Sequence, residues 1–238
     1  MKIIIIRHAE PDYPNNTLTP QGFIEAEALG KHYDASMFDD IYSSSLPRAL
    51  LTAQAVVKGE KEIHVVDWLI EFVHRVKVGD NDRHLNWDFK PSFLKEHPEV
   101  YDNRDYLDCE TLKTGNLKEE YEKVINEFDK VIEKHGYKKN GDFYDVIDSN
   151  TKTIVFFCHL GMMSVLLSRL LNIPYTALAQ FMCCLPTGVT TVVSEEREKG
   201  IAQFRILTYG DLSHLKMENI EPSFAARFCE IYDSDDRH

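Results

Sequence analysis

A chain of 238 residues with a formal net charge of −12 fits one α/β domain, with or without an inserted cap, and has interior enough to bury most of its apolar surface. That charge argues against a general binder of nucleic acid or anionic membranes, which need positive surface spread over a face; a few arginines in a cleft would still serve a phosphate. The sequence shows neither a charged leader with an apolar run and cleavage site nor a stretch of about 18 apolar residues, so the expectation is a protein neither secreted by a standard signal nor membrane-spanning. Five cysteines, Cys109, Cys158, Cys183, Cys184 and Cys229, are odd in number and lack paired C-x-x-C spacing, which suits a reduced, cytoplasmic setting.

Lys2 to Glu10 reads KIIIIRHAE. Four consecutive isoleucines predict a short strand buried on both faces at the middle of a sheet. Arg7 and His8 follow at its carboxyl end, where open α/β sheets place their ligands. They are either site residues or the first solvated residues after a core strand. Pro11 to Asn16 is turn-rich, and Thr19-Pro20 predicts a helix start with Thr19 as N-cap. Phe23, Ala26, Leu29 and Gly30 or Tyr33 then share one helical face to bury, and Glu25 falls on the helix surface.

Phe38 to Ser43 predicts the second strand and Pro47 to Lys58 the helix behind it. Arg48 then lies in a first helical turn, near unpaired N–H groups that suit an anion; the plainer reading is a surface arginine. Ile63 to Leu69 predicts a third strand, with Glu71 just beyond. From Phe72 to Asn150 the chain is rich in charge and aromatic residues, includes Pro91 and Pro98, and has one long helical stretch from about Leu117 to His135. Tyr121, Val124, Ile125, Phe128, Val131 and Ile132 form its apolar face. Thr153 to Cys158 predicts a buried strand and Met162 to Leu171 an apolar helix. Val189 to Ser194 and Ile201 to Leu207 alternate like a hairpin across Glu195–Gly200, expected at the sheet edge. Pro222 to Tyr232, with Phe224, Phe228 and Tyr232 four apart, predicts a docking helix, on this chain or on a second copy, which leaves a homodimer open.

Four separated blocks, Arg7-His8, Ser43-Ser44-Ser45-Leu46-Pro47-Arg48-Ala49 through Thr52-Ala53, Ile70-Glu71, and Phe156-Phe157-Cys158-His159-Leu160-Gly161, occur in an order that resembles the histidine phosphatase superfamily, also called phosphoglycerate mutase-like. The match covers residues 1–71 and 152–193. It implies a three-layer α/β/α sandwich with a mostly parallel sheet and an antiparallel edge. Residues 1–238 would form a single domain, with 72–150 as an inserted helical cap on the strand tips and 208–238 as a C-terminal extension.

The resemblance also implies phosphoryl chemistry. His8 would be the nucleophile, held by a rigid strand, and Arg7, Arg48 and a protonated His159 would meet the phosphate oxygens. N–H groups from Leu160 onward would add donors. Glu71 is the expected general acid, with Glu10 as the other candidate. His74, Arg75, Arg83, His84 and Trp87 either line the cap side of the cleft or are surface residues. The mechanism requires no metal or cofactor, and the scattered histidines show no metal-ligand spacing.

Three departures from the family pattern stand out. Ala9 replaces a glycine, putting a methyl near the phosphate. Cys158 and Leu160 make C-H-L-G where S-H-G-G is common. Glu25 stands where glutamine is common. Cys158 reads as a buried strand residue, because a cysteine phosphatase needs an arginine six residues on, where Ser164 stands. The expectation is a metal-independent phosphomonoesterase acting through phospho-His8 on a small phosphorylated metabolite, such as α-ribazole phosphate or a sugar phosphate. A phosphoglycerate-type mutase and a phosphate-binding protein without turnover are the rivals. The cap offers no stretch that matches the mutases, and a binder would not require the nucleophile.

Overall fold

The computed structural model describes residues 1–102, 104–223 and 232. Its centre is an eight-stranded sheet in which the strand Lys2–Arg7 pairs in parallel with Thr153–Cys158 and antiparallel with Val189–Glu198. Asp40–Ser44 and His64–Val66 continue the parallel half outward from Thr153–Cys158. On the other side Ile201–Asp211, Phe143–Val146 and Tyr137–Asn140 complete an antiparallel half.

The isoleucine run explains the layers. Ile3 and Ile5 enter one apolar cluster with Phe128, Phe156 and the helix Leu160–Leu171, whereas Ile4 and Ile6 enter another with Leu29, Ala53 and Val56. Side chains alternate across a strand, so a run of four identical apolar residues feeds both faces. Helices Pro20–His32 and Pro47–Val57 cover one face, and Leu117–Lys134, Leu160–Leu171 and Tyr175–Phe181 the other, giving the α/β/α layering.

Several expectations need correction. The strand expected over Ile63–Leu69 stops at Val66, and Asp67–Leu69 winds into a single 3-10 turn. The turn brings two successive residues to one core, Leu69 fully buried and Trp68 against Phe128 and Phe156 at 6.4 and 6.3 Å, which an alternating strand would not do. Phe23 is 48% exposed. Ala26 and Leu29 are buried as expected, but alongside Gly22, Ala28 and Gly30, because a Cβ at Gly22 would lie 2.2 Å from the Glu10 carbonyl oxygen and one at Gly30 would lie 2.2 Å from that of Ala55. Glu25, expected on the surface, is fully buried.

The Val189–Glu198 and Ile201–Asp211 hairpin forms but lies inside the sheet. The edge is supplied by Tyr137–Asn140 and Phe143–Val146, from the segment expected to be cap. Residues 72–150 are therefore not all cap: from Leu117 on they belong to the main layers. The remaining portion is also not purely helical, since the hairpin Arg75–Val78 with Asn81–Leu85 precedes the helices Pro91–Glu96 and Glu110–Lys113. Its apolar residues Phe72, Val76, Phe89, Leu94 and Val100 join the same cluster as Phe128 and Phe156. Because strand Ile201–Asp211 runs past residue 208, the C-terminal extension begins only after Asp211. The docking helix expected over Pro222 to Tyr232 lies for the most part outside the described residues. No described helix is long and apolar enough to cross a membrane.

Candidate active site

Strand register assembles the site. Arg7 lies opposite Cys158 in the parallel pair, and the next N–H, that of His8, donates to the Cys158 carbonyl at 2.9 Å. The following residues, His8 and His159, therefore stand side by side, ring centroids 5.0 Å apart and tilted by 58°. Phe157 is opposite Ser43 on the other flank, which brings the Ser44 hydroxyl within 2.9 Å of His159 Nε2. Ser44 was missed as a site residue, although it lies in the Ser43-Ser44-Ser45 tract.

Each basic group is held from behind. Arg7 is 5% exposed and donates through Nη1 to the Cys184 carbonyl at 2.7 Å. Thr187 N–H donates to the carbonyls of Arg7 and His8. Arg48, in the first turn of Pro47–Val57, lies against the Tyr13 ring, 5.4 Å from its centroid. Its backbone oxygen accepts the Thr52 hydroxyl at 2.7 Å, and that hydroxyl accepts Ala9 N–H at 3.0 Å, tying the second block to the first. Neither Cys184 nor Tyr13 carried a sequence signal; a backbone carbonyl acceptor leaves none.

His8 is 1% exposed, with Nδ1 2.7 Å from the Ala9 carbonyl oxygen. A carbonyl can only accept, so the neutral ring carries its proton on Nδ1 and its lone pair on Nε2. Burial, and then Arg7, push the His8 pKa well down, with a smaller push from Arg48; the Ala9 carbonyl works against them. His159 is likewise driven well below the histidine range by burial, then by His8, Arg48 and Arg7. Both rings are neutral at pH 7 on these terms.

Glu71 follows the 3-10 turn and is partly buried. Its Oε1 accepts N–H groups from Phe72 at 3.0 Å and Met162 at 3.2 Å. One helix donor beyond Leu160 is thus taken by Glu71. A Cβ at Gly161 would lie 2.8 Å from that oxygen, so the glycine leaves room for the carboxylate. Burial raises the Glu71 pKa, opposed by Arg7, Arg48 and the two N–H groups. Glu10 accepts the Thr19 hydroxyl instead, at the start of the first helix.

The five cap residues do not converge. His74 packs edge-on to Phe72 at 4.5 Å and shares a groove of about 790 Å³ with Glu71, Trp68, Met162 and Lys123. Arg75 and Arg83 are exposed, Arg75 Nη1 donating to the Arg83 carbonyl at 3.1 Å. His84 bonds the Leu85 carbonyl and stacks on Phe89 at 5.2 Å. Trp87 Nε1 is buried without a partner among the described residues. The Ala9 methyl does not intrude on the site: Ala9 is fully buried in a small cluster with Leu18 and Ala26. Cys158 is buried too, its thiol pushed far up by burial. Among the described residues, no group of three or more His, Cys, Asp or Glu could hold a metal ion.

The fold is shared with solved structures. A phosphoserine phosphatase from Entamoeba histolytica, in complex with phosphoserine, is 20% identical with a TM-score of 0.58, over 90% of this chain and 98% of that one. The α-ribazole phosphatase from Shigella flexneri is 20% identical with a TM-score of 0.51, over 87% and 96%. A mycobacterial glucosyl-3-phosphoglycerate phosphatase is 16% identical with a TM-score of 0.55, over 88% and 98%. Comparison with curated proteins gives no significant match. The family model of the histidine phosphatase superfamily (branch 1) matches residues 3–206, most of the chain, and the chain belongs to that superfamily.

Proposed function

We propose that this phosphatase hydrolyses a small phosphorylated metabolite through a phosphohistidine formed on His8, without calling on a metal. One observation carries the reading: Arg7 Nε, Arg48 Nε and His159 Nδ1 are buried with no hydrogen-bond partner among the described residues, and all three belong to groups that act electrostatically on one another beside His8. Leaving a buried polar atom unpaired costs about 1–3 kcal/mol, more for a charged group, and two guanidinium donors with an imidazole nitrogen that donates once His159 is protonated are what a tetrahedral anion would satisfy. The chemistry named by the structural neighbours, phosphoserine, α-ribazole and glucosyl-3-phosphoglycerate phosphatases, supports the substrate class.

In the first step the His8 Nε2 lone pair attacks phosphorus and the ester P–O bond breaks. Its electron pair goes to the alcohol oxygen, which takes a proton from Glu71, whose raised pKa keeps it protonated for longer than an ordinary glutamate. Water, giving its proton to the Glu71 carboxylate, then attacks the phosphohistidine; the P–N bond breaks, Nε2 regains its pair, and inorganic phosphate leaves. Arg7 and Arg48 offset the charge on the equatorial oxygens throughout. His159, neutral by burial, would be drawn toward protonation by the incoming phosphate. Glu71 is favoured over Glu10 because it is Glu71 that interacts with both arginines.

The test is turnover of p-nitrophenyl phosphate and of a panel of sugar, amino-acid and nucleoside monophosphates in the presence of EDTA. Release of phosphate from at least one metabolite is the expected result. Binding without turnover across the panel, or phosphoryl transfer between the hydroxyls of phosphoglycerate in place of release, would overturn it.

A further inference from the structure

A second buried carboxylate stands one peptide away from His8 and has no part in the chemistry above. Glu25 Oε2 accepts the Glu10 N–H at 3.0 Å, and Oε1 accepts the Ser223 N–H at 2.8 Å. Glu10 N–H and the Ala9 carbonyl belong to the same planar peptide unit, and that carbonyl is the partner of His8 Nδ1 at 2.7 Å. A continuous chain results: carboxylate, peptide N–H, peptide carbonyl, imidazole N–H.

We propose that Glu25 is a positioning residue for His8, acting through the Ala9–Glu10 peptide to fix the carbonyl that keeps the ring proton on Nδ1 and the reactive lone pair on Nε2. The inference rests on His8 being the nucleophile. An anion bonded to a peptide N–H polarises the carbonyl of that unit and strengthens it as an acceptor. Carboxylates that orient a histidine usually touch the ring directly; here one peptide is interposed.

The surroundings fit this role. The peptides on either side are held in place, the one after Glu10 by Gly22, whose missing Cβ admits the Glu10 carbonyl, and by Thr19 N–H donating to that carbonyl at 3.1 Å, and the one before Ala9 by its N–H on Thr52. Only Glu25 adds charge. The groups acting on it are the donors of Ser223 and Glu10 and the like charge of Glu10, while burial raises its pKa. A glutamine at this position has one acceptor oxygen and would turn its NH2 toward one of two N–H donors. The acid satisfies both, and so couples the segment after Asp211 to the catalytic loop.

The plainer role for Glu25 is to anchor Ser223 alone, and the two roles separate by experiment. In full-length Glu25→Gln, ¹⁵N NMR of the His8 ring should show the Nδ1–H tautomer weakened, and kcat for p-nitrophenyl phosphate should fall roughly 10- to 100-fold with KM changed far less. A His8 spectrum identical to wild type, with kcat within about twofold, overturns the proposal. If Glu25→Gln does not fold, the wild-type protein carries the test. As Glu25 protonates, followed by its own carboxyl ¹³C signal and separately from that of Glu10, His8 Nδ1 should shift in the same step. Arg7, Arg48 and His159 act on His8 and Glu71 acts on both arginines; the arginines keep their charge over this range, and the Glu71 carboxyl and the His159 ring are followed by their own signals so that their steps are told apart from that of Glu25. A Nδ1 signal that stays fixed overturns the proposal. His8→Ala distinguishes the two layers: an inactive variant beside an unaltered His8 ring in Glu25→Gln refutes only the relay. An active His8→Ala refutes the nucleophile, and the ring spectrum still decides whether Glu25 orients it.

Discussion

The proposed phosphate site and the cap are built to different rules. At the proposed phosphate site Arg7, His8 and His159 are buried at strand tips and Arg48 lies half-buried in a first helical turn, while Arg7 Nε, Arg48 Nε and His159 Nδ1 have no hydrogen-bond partner among the described residues. In the cap several polar groups bond close by, Arg75 to the Arg83 carbonyl, His84 to that of Leu85 and His97 to Glu99, while the Asn86 amide and Trp87 Nε1 are buried without a partner among the described residues. On the proposed mechanism, a rigid frame with unpaired polar atoms would specify one reaction. On the same mechanism the hairpin and short helices would leave the alcohol half of the substrate to be chosen by shape and by a few side chains near Glu71.

That contrast orders the expected effects. His8→Ala should lower turnover on the order of 10⁴-fold or more while keeping phosphate affinity, measured by steady-state kinetics and phosphate titration. Arg48→Ala should cost roughly 10²- to 10³-fold, and Arg48→Lys should recover little, because an ammonium does not reproduce the planar fork. Glu71→Gln should lose roughly 10²-fold on alkyl phosphates and little on p-nitrophenyl phosphate, whose leaving group needs no proton. The pH profile should agree: wild-type turnover of alkyl esters falls as pH rises through the raised Glu71 pKa, and the variant lacks that limb.

Acid sensitivity should also belong to the phosphate end. His214 is buried against the Thr187 hydroxyl at 2.9 Å, with burial pushing its pKa down to about 4. The unfolded chain then binds the proton first. The stability this group contributes is complete above about pH 6.5 and is lost as pH falls toward 4, up to about 3 kcal/mol, and His214→Gln should flatten that fall in urea melts. The smallest effect is expected in the cap. His74→Ala should reorder preference among metabolites yet change kcat on p-nitrophenyl phosphate by less than about threefold.

The elements that carry the proposed phosphate site were legible in the sequence because they are local: an isoleucine run ending in Arg7-His8, a Pro47 helix start beside Arg48, and a buried strand ending at Cys158, just before His159. What escaped depends on contacts between distant segments. Glu25 looks like a surface residue by helical period, and only the close approach permitted by Gly22 brings it under the loop. The edge strands Tyr137–Asn140 and Phe143–Val146 are short and charged, and only Tyr137 and Tyr144 point to a buried side. Phe23 looked like core by the same period, but glycine contacts set the helix too close to its neighbours to hold a large ring. The cap, which carries no regular period, gave five candidate residues of which His74 alone lies beside Glu71.

The central claim is covalent chemistry on one imidazole, and trapping the intermediate tests it most directly. Enzyme mixed with substrate, quenched in alkali within a single turnover and mapped by peptide mass spectrometry, should carry one phosphoryl group on the peptide containing His8. Phosphate on any other residue, or an enzyme that turns over with no phosphopeptide at the shortest quench times, would contradict the account.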